Sequence, residues 1–154
     1  MALYFAFGSN LDLGQMYQRC PTARPLDRAV ARGYRLAFPL YCPTWQGGVA
    51  SIEPAGGAKA VQGAVYEISE SELTALDAYE DIEAGDYRRE TIEAACDNLG
   101  RLVVWTYIAN PDPEGPSAPS AAYRDALLRG ARDHGLSEDY IAMLQSLATR
   151  EEQA

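Results

Sequence analysis

The stretch that decides the fold is Leu3-Tyr4-Phe5-Ala6-Phe7-Gly8-Ser9-Asn10, near the start of the chain. Its first five residues are apolar or aromatic, which is typical of a buried strand. The next three end that strand in a turn, and Asn10 or Asp12 can cap a short helix. Such a turn points several backbone N–H groups in one direction, which suits a carboxylate or a phosphate. A plain turn with Ser9 or Asn10 as the helix cap explains the same residues, so both interpretations remain open.

Beyond this stretch, the chain carries five more strand patterns and three helix signals. The strand patterns cover residues 34–38, 49–52, 61–68, 87–95 and 102–109. The helix signals are a capping box at Ser69 and Glu72, for a helix ending near Glu80, and later caps at Ser120 and Ser137. Pro21–Arg32 is expected to be irregular. About six strands without long helices between most of them predict an α+β fold, with a mixed, barrel-like sheet and three to four flanking helices.

Length and charge limit the classes of function. The chain has 154 residues, which suits one domain at 1–150 followed by a frayed tail at 151–154. The net charge is −9, so nucleic acid and anionic membrane surfaces are poor partners. The sequence shows no secretory or membrane-spanning pattern, and a cytoplasmic protein is expected.

The cysteine and histidine content disfavours several kinds of catalytic site. Cys20, Cys42 and Cys96 form no Cys-x-x-Cys motif, as expected for reduced thiols. His134 is the only histidine, which rules out zinc sites that need several imidazoles. The usual nucleophile triads are nearly excluded as well, because a single imidazole would have to supply the base. No metal and no cofactor is predicted.

An acidic cluster follows the helix that begins at Ser69. Its members are Asp77, Glu80, Asp81, Glu83 and Asp86, and a solvated acidic face explains most such clusters. Glu80 differs because it shares helical spacing with Leu73 and Leu76, on the face that should point inward. Burial, the negative end of its helix and neighbouring acids would all raise the pKa of Glu80. A carboxyl group with a pKa near neutrality can both accept and donate a proton.

Five segments resemble the γ-glutamylcyclotransferase family, in the same order along the chain. They are Tyr4–Leu11 (YFAFGSNL), Thr44–Ala50 (TWQGGVA), Leu76–Ile82 (LDAYEDI), Gly85–Tyr87 (GDY), and Pro119–Tyr123 with Gly130-Ala131 and Gly135-Leu136. Two positions and one segment, Tyr41-Cys42-Pro43, depart from the family pattern. Phe7 stands where the family usually has tyrosine, and Asp81 stands where it commonly has glycine.

The resemblance implies a small β-barrel with flanking helices, and an enzyme that cyclises a small γ-glutamyl substrate to 5-oxoproline. The α-amine of the substrate is itself the nucleophile, so the family's reaction needs no metal and no cofactor. Glu80 is expected to act as the general base and then as the general acid. The residues expected to bind the substrate are Phe7, Gly8, Ser9, Asn10, Tyr87 and Tyr123. An ordinary core role explains the two tyrosines equally well, and relatives indicate a homodimer.

Two alternatives remain open from the sequence. The first is an enzyme of the same family that removes a γ-glutamyl protecting group from a larger biosynthetic amine. The rim that would select this amine is expected in the loops at Pro39–Trp45 and Pro111–Pro119. The second is a non-catalytic binding module that keeps the carboxylate-holding turn, although such a module has no need for a buried acid.

Overall fold

The computed structural model describes residues 1–153. Over these residues the chain forms strands β1 (Ala2–Ala6), β2 (Arg24–Arg32), β3 (Tyr34–Cys42), β4 (Gly47–Pro54), β5 (Ala60–Ile68), β6 (Tyr87–Cys96) and β7 (Gly100–Ala109). The helices are α1 (Leu13–Arg19), α2 (Glu70–Tyr79), α3 (Ala121–Asp133), α4 (Glu138–Gln145) and α5 (Arg150–Gln153), with a 3-10 turn at Ser9–Leu11. The predicted α+β class is therefore confirmed.

Five of the strands close into a barrel in the order β1-β5-β2-β6-β7. β1 pairs antiparallel with β5 and parallel with β7, where Tyr4 lies opposite Trp105. Phe5 and Ala6 are fully buried in this central position, which explains why β1 is continuously apolar rather than alternating. Strands on both sides of β1 also fix the direction in which the chain leaves it at Phe7.

The prediction that Pro21–Arg32 is irregular was wrong, because residues 24–32 form β2. This strand pairs antiparallel with β5 and, over a short length, with β6. The strand pattern was hidden because its buried residues, Ala29 and Ala31, are small, and alanine is depleted in strands. A register shift just after Pro25 accommodates the proline. β2 thus adds a seventh strand to the six that the sequence indicated.

β3 and β4 form a separate two-stranded sheet beside the barrel. Residues 110–119, which we call the strap, run across this hairpin, and Ser117 donates its N–H to the carbonyl oxygen of Phe38 at 3.1 Å. A Cβ atom at Gly48 would lie 1.8 Å from the Ser117 carbonyl oxygen. Glycine at this position therefore lets β4 and the strap approach each other closely, which holds the hairpin in a fixed place.

α2 begins at the predicted capping box, which is confirmed. The Ser69 hydroxyl accepts the Glu72 N–H at 3.1 Å, and the Glu72 carboxylate accepts the Ser69 N–H at 3.0 Å. The helix buries Leu73 and Leu76 and ends at Tyr79, which leaves Glu80 as the residue that follows its last turn. The inward-facing stripe of α2 therefore leads directly to Glu80.

The last helix lies against the start of α3. Of the predicted tail at 151–154, residues 151–153 belong to α5, and Ala154 lies outside the described residues. Both carboxylate oxygens of Glu151 accept the Ala121 N–H at 3.1 Å. Within the described part of the chain, no helix combines the length and apolar character needed to cross a bilayer.

Candidate active site

One cavity collects the residues that the sequence singled out. It has a volume of about 270 Å³ and lies between the end of β1, the end of α2 and the β3–β4 hairpin. The predicted site residues all line it, namely Phe7, Gly8, Ser9, Asn10, Glu80, Tyr87 and Tyr123. The fold thus brings together segments from both halves of the chain around one space.

Glu80 is partly buried and faces this cavity. Its backbone N–H donates to the Leu76 carbonyl oxygen at 2.8 Å, so the last turn of α2 fixes its position. Burial raises the pKa of Glu80 to about 7, although the nearby Arg19 guanidinium opposes the rise. A carboxyl group with this pKa is present in both protonation states near neutral pH, as a group that accepts and then returns a proton requires.

The other acidic residues around α2 have separate positions. Asp77 accepts the Tyr107 hydroxyl at 2.7 Å and lies 3.6 Å from an Arg89 guanidinium nitrogen. Asp81 and Asp86 line the cavity together with Glu80. The cluster is therefore divided between an ion pair on the barrel surface, a group of carboxyl groups at the cavity, and Glu83, which is exposed and does not line the cavity.

The turn after β1 is closed by two of its own hydrogen bonds. The N–H groups of Leu11 and Asp12 donate to the carbonyl oxygens of Gly8 and Ser9 at 3.0 and 3.1 Å. Within the turn, no carbonyl group accepts the N–H groups of residues 8–10, and the Ser9 N–H lies near the Tyr123 hydroxyl. The Asn10 side chain donates to the Tyr4 hydroxyl at 2.9 Å. The loop therefore presents its backbone N–H groups, rather than this side-chain amide, to a ligand.

Two tyrosines at the cavity bind the same backbone unit. The Tyr87 hydroxyl donates to the Ala50 carbonyl oxygen at 3.1 Å, and the Tyr123 hydroxyl accepts the Ala50 N–H at 3.0 Å. These bonds anchor β4 to the barrel and to α3. Burial raises the pKa of both hydroxyls well above the usual value, so both stay protonated near neutral pH.

The tip of the β3–β4 hairpin forms one wall of the cavity. Residues 40–45 line it, and the Trp45 ring meets the Tyr123 ring edge to face at a centroid distance of 5.0 Å. This supports the expected rim at Pro39–Trp45. The expectation for Pro111–Pro119 was wrong, because these residues belong to the strap, which supports the hairpin without lining the cavity.

Sequence reasoning missed Arg19 and Tyr4. Arg19 donates to the Ser9 hydroxyl at 3.2 Å and to the Asn10 and Tyr79 side chains. Tyr4 lines the cavity and accepts a hydrogen bond from Asn10. A signal for Tyr4 was its place in the strand that leads to the turn. An arginine at the end of a short helix resembles an ordinary cation at a helix C-terminus, so Arg19 could not be identified from the sequence.

His134 lies behind the loop, outside the cavity lining. Its Nε2 atom is 2.8 Å from the Tyr66 hydroxyl and 3.0 Å from the Leu11 carbonyl oxygen. Burial lowers the pKa of His134, which favours the neutral ring. Among residues 1–153, no group of three or more His, Cys, Asp or Glu side chains is arranged to hold a metal ion.

Comparison with known families gives one match over more than half of the chain. Residues 60–144 match the AIG2-like family. This range runs from β5 through α2 and the β6–β7 hairpin into α4, and it includes Glu80, Tyr87 and Tyr123.

Characterised relatives extend the similarity over nearly the whole chain. The human γ-glutamylcyclotransferase is 29% identical over 149 residues, which cover 94% of this chain and 78% of the human protein. The mouse γ-glutamylcyclotransferase is 28% identical over 153 residues, covering 97% and 80% of the two chains. A solved structure of a γ-glutamyl cyclotransferase matches with a TM-score of 0.91 at 26% identity, covering 99% of this chain and 91% of its own.

Proposed function

This chain belongs to the AIG2-like family, and from that premise we propose that it is a γ-glutamylcyclotransferase. It converts a γ-glutamyl amine or peptide to 5-oxoproline and releases the amine. The observation that carries the proposal is that Glu80, whose pKa burial raises to about 7, shares one cavity with the backbone turn at residues 8–10. Human and mouse relatives of this name cover most of the chain, which supports the same reaction.

The two ends of the glutamyl group have different partners in this proposal. The backbone N–H groups of residues 8–10 bind the α-carboxylate, since an array of amides suits an anion. Glu80 takes a proton from the α-ammonium group. Holding the carboxylate and the amine together bends the substrate so that the amine meets its own γ-carbonyl, and such orientation supplies roughly 7–11 kcal/mol in favourable intramolecular reactions.

The raised pKa makes the first proton transfer accessible. An α-amine with a pKa near 8 is about four units above an ordinary carboxyl group, so transfer to that group costs about 5 kcal/mol. With the pKa of Glu80 at about 7, the difference falls to about one unit, or about 1.4 kcal/mol. Burial of Glu80 therefore removes most of the energetic mismatch between the amine and its base.

The chemical steps balance without water or any other reactant. The neutral α-amine attacks the γ-carbonyl carbon and forms the five-membered ring as a tetrahedral intermediate. Protonated Glu80 then gives its proton to the departing nitrogen, and the original amide bond breaks. The restored Glu80 carboxylate takes the surplus proton from the ring nitrogen and passes it to the released amine, which leaves as an ammonium ion. One side chain acts first as a base and then as an acid, and a pKa near the working pH suits it to both roles.

Replacement of the acid by its amide tests this proposal. Glu80→Gln is nearly isosteric but cannot carry a proton, and we expect a loss of at least about a hundredfold in kcat. Glu83→Gln is the matched control, because Glu83 is an exposed member of the same acidic cluster. Release of 5-oxoproline would be measured from γ-glutamyl amino acids, glutathione and γ-glutamyl amines.

Three outcomes separate the readings of the site. Activity in the wild type and Glu83→Gln, but not in Glu80→Gln, supports the proposed enzyme. Turnover by a folded Glu80→Gln variant at the wild-type rate would remove Glu80 as the base. Binding of the substrates by the wild type without any 5-oxoproline would favour the non-catalytic binding module.

A further inference from the structure

The side chain of Arg19 connects the two halves of the candidate site. Its Nη1 atom donates to the Ser9 hydroxyl at 3.2 Å and to the Asn10 amide oxygen. Its Nη2 atom donates to the Gln15 amide oxygen at 2.6 Å and to the Tyr79 hydroxyl. The guanidinium carbon also lies 3.4 Å from the centroid of the Tyr79 ring. One planar group thus spans the turn after β1 and the last residue of α2.

The charge of Arg19 is not paired with a carboxylate. The four oxygen atoms that accept its hydrogen bonds are neutral, and no acidic side chain in the described part of the chain forms an ion pair with it. A guanidinium group stays charged at all working pH values. Its field therefore reaches Glu80, where it lowers the pKa against the effect of burial.

The other titratable groups around the cavity carry no positive charge. They are the Asp81 and Asp86 carboxyls, the Cys42 thiol and the hydroxyls of Tyr4, Tyr41, Tyr79, Tyr87, Tyr107 and Tyr123. Arg19 itself lies outside the cavity lining, so it acts on the site through the residues that it holds and through the field of its charge at Glu80. This arrangement separates Arg19 from a direct role in binding the substrate.

We propose that Arg19 is a positioning residue, which holds the N–H groups of residues 8–10 in register with the Glu80 carboxyl group. This role rests on the proposed function. The two halves of the site follow β1 and α2, a strand and a helix that are not joined by a backbone hydrogen-bond ladder. The hydrogen bonds from Nη1 to the turn and from Nη2 to Tyr79, adjacent to Glu80, therefore set the distance between the anion-binding backbone and the acid.

The variants Arg19→Lys and Arg19→Met separate the effect of the hydrogen bonds of Arg19 from the effect of its charge. Arg19→Lys keeps the charge but not the planar fork, so we expect KM to rise about tenfold with little change in the acidic limb of the kcat/KM profile. Arg19→Met loses both, so KM should rise similarly and the acidic limb should move up by about one pH unit.

Arg89→Met is the matched control. Arg89 also stacks on an aromatic ring, with its guanidinium carbon 4.5 Å from the Trp105 centroid, and it contacts α2 through Asp77 at 3.6 Å. It does not line the cavity or bind the turn. Arg89→Met should therefore leave both KM and the pH profile at wild-type values. Circular dichroism and thermal unfolding establish that each variant is folded.

A second measurement does not depend on turnover. Carbon-13 NMR of carboxyl-labelled glutamate, assigned with Glu80→Gln, reports the titration of Glu80 in each variant. A KM that rises in both Arg19 variants, together with a Glu80 titration that rises in Arg19→Met but not in Arg19→Lys or Arg89→Met, supports the inference. A folded Arg19→Met variant with the wild-type KM overturns it, whatever its Glu80 titration. If the wild type released no 5-oxoproline, the proposed function would fail, and the NMR titration would still decide whether Arg19 acts on Glu80.

Discussion

A Cβ atom at Gly8 would lie 2.9 Å from the Tyr123 hydroxyl oxygen. That hydroxyl cannot move away without losing the hydrogen bond that it accepts from the Ala50 N–H at 3.0 Å. The turn after β1 and the start of α3 therefore approach each other as closely as a glycine allows. Any side chain at position 8 disturbs the loop backbone and the opposite wall of the cavity together.

Gly8→Val should consequently weaken substrate binding. We expect KM for a γ-glutamyl substrate to rise at least about tenfold, since small displacements of binding groups have large effects on reactive geometry. Steady-state kinetics of 5-oxoproline release measure this. Gly56→Val is the control, because a Cβ atom at Gly56 meets nothing within 4 Å. An unchanged KM in Gly8→Val would remove the loop from the site.

Burial of Glu80 should make the folded state less stable at alkaline pH. The pKa of Glu80 is about 7 in the folded protein against an ordinary value of 4.5, so the folded state binds the proton more tightly than the unfolded state. The stabilisation is complete below about pH 4.5 and is lost as the pH rises through 7, by up to about 3 kcal/mol. Glu80→Gln removes this dependence.

Urea unfolding at several pH values measures this effect. The free energy of unfolding of Glu80→Gln, relative to the wild type, should increase from about pH 4.5 to about pH 8. The exposed Glu83→Gln control should show no such trend. A constant difference between Glu80→Gln and the wild type would mean that Glu80 has an ordinary pKa in the folded protein.

The charge at the cavity should influence which amine is released. Asp81 and Asp86 line the cavity together with Glu80, and none of the lining residues in the described chain is a lysine, arginine or histidine. A leaving amine that carries a positive charge should therefore be preferred over one that carries a carboxylate. We expect kcat/KM to fall from the cationic to the neutral to the anionic amide, by several-fold overall.

Three γ-glutamyl amides of equal chain length provide the measurement. They are the amides of 1,4-diaminobutane, butylamine and 4-aminobutanoate. The double variant Asp81→Asn, Asp86→Asn should reduce the ratio of the cationic to the neutral amide. Equal kcat/KM values for all three amides in the wild type would contradict the prediction, although the proposed reaction would stand.

His134 should give the protein a second pH dependence of stability, with the opposite sign. Burial lowers the pKa of His134 below 6.5 in the folded state, although the neighbouring Asp133 carboxylate opposes this shift. The unfolded state then binds more protons as the pH falls below about 6.5, so the stability that the neutral ring contributes above this pH is lost in acid.

His134→Gln tests this dependence. At about pH 8 the variant should lose about 1–2 kcal/mol through its altered hydrogen bonds to Tyr66 and Leu11. That loss should shrink in acid, since the wild type then bears the cost of protonating the buried ring. Thermal unfolding across the pH range measures the difference, and a loss that is the same at every pH would show that His134 titrates normally.

Features with a strong local signal could be predicted from the sequence. The apolar run of β1, the capping box at Ser69 and Glu72, and the β6–β7 hairpin each depend on neighbouring residues, and all are confirmed. The inward position of Glu80 followed from its spacing relative to Leu73 and Leu76. The expected family is confirmed as well, since the motifs that indicated it span nearly the whole chain.

Features that depend on distant partners could not be predicted. β2 is a strand because β5 pairs with it, and its own small residues gave little indication. Arg19 belongs to the site because Tyr79, sixty residues later, accepts its hydrogen bond. The strap was expected at the cavity rim, but its backbone is used to hold β3 and β4. In each case the information lies in a tertiary contact rather than in the segment itself.

The parallel pairing of β1 with β7 has a consequence for how the protein acquires its site. Tyr4 lies opposite Trp105, about a hundred residues later in the chain, where β1 and β7 close the barrel. Pairings between residues so far apart in sequence slow folding. A nascent chain that has emerged only as far as β6 has its glycine turn and its acid but lacks the strand that completes the barrel. The candidate site also takes Tyr107 from β7 and Tyr123 from α3, so its lining is complete only once these later segments are in place.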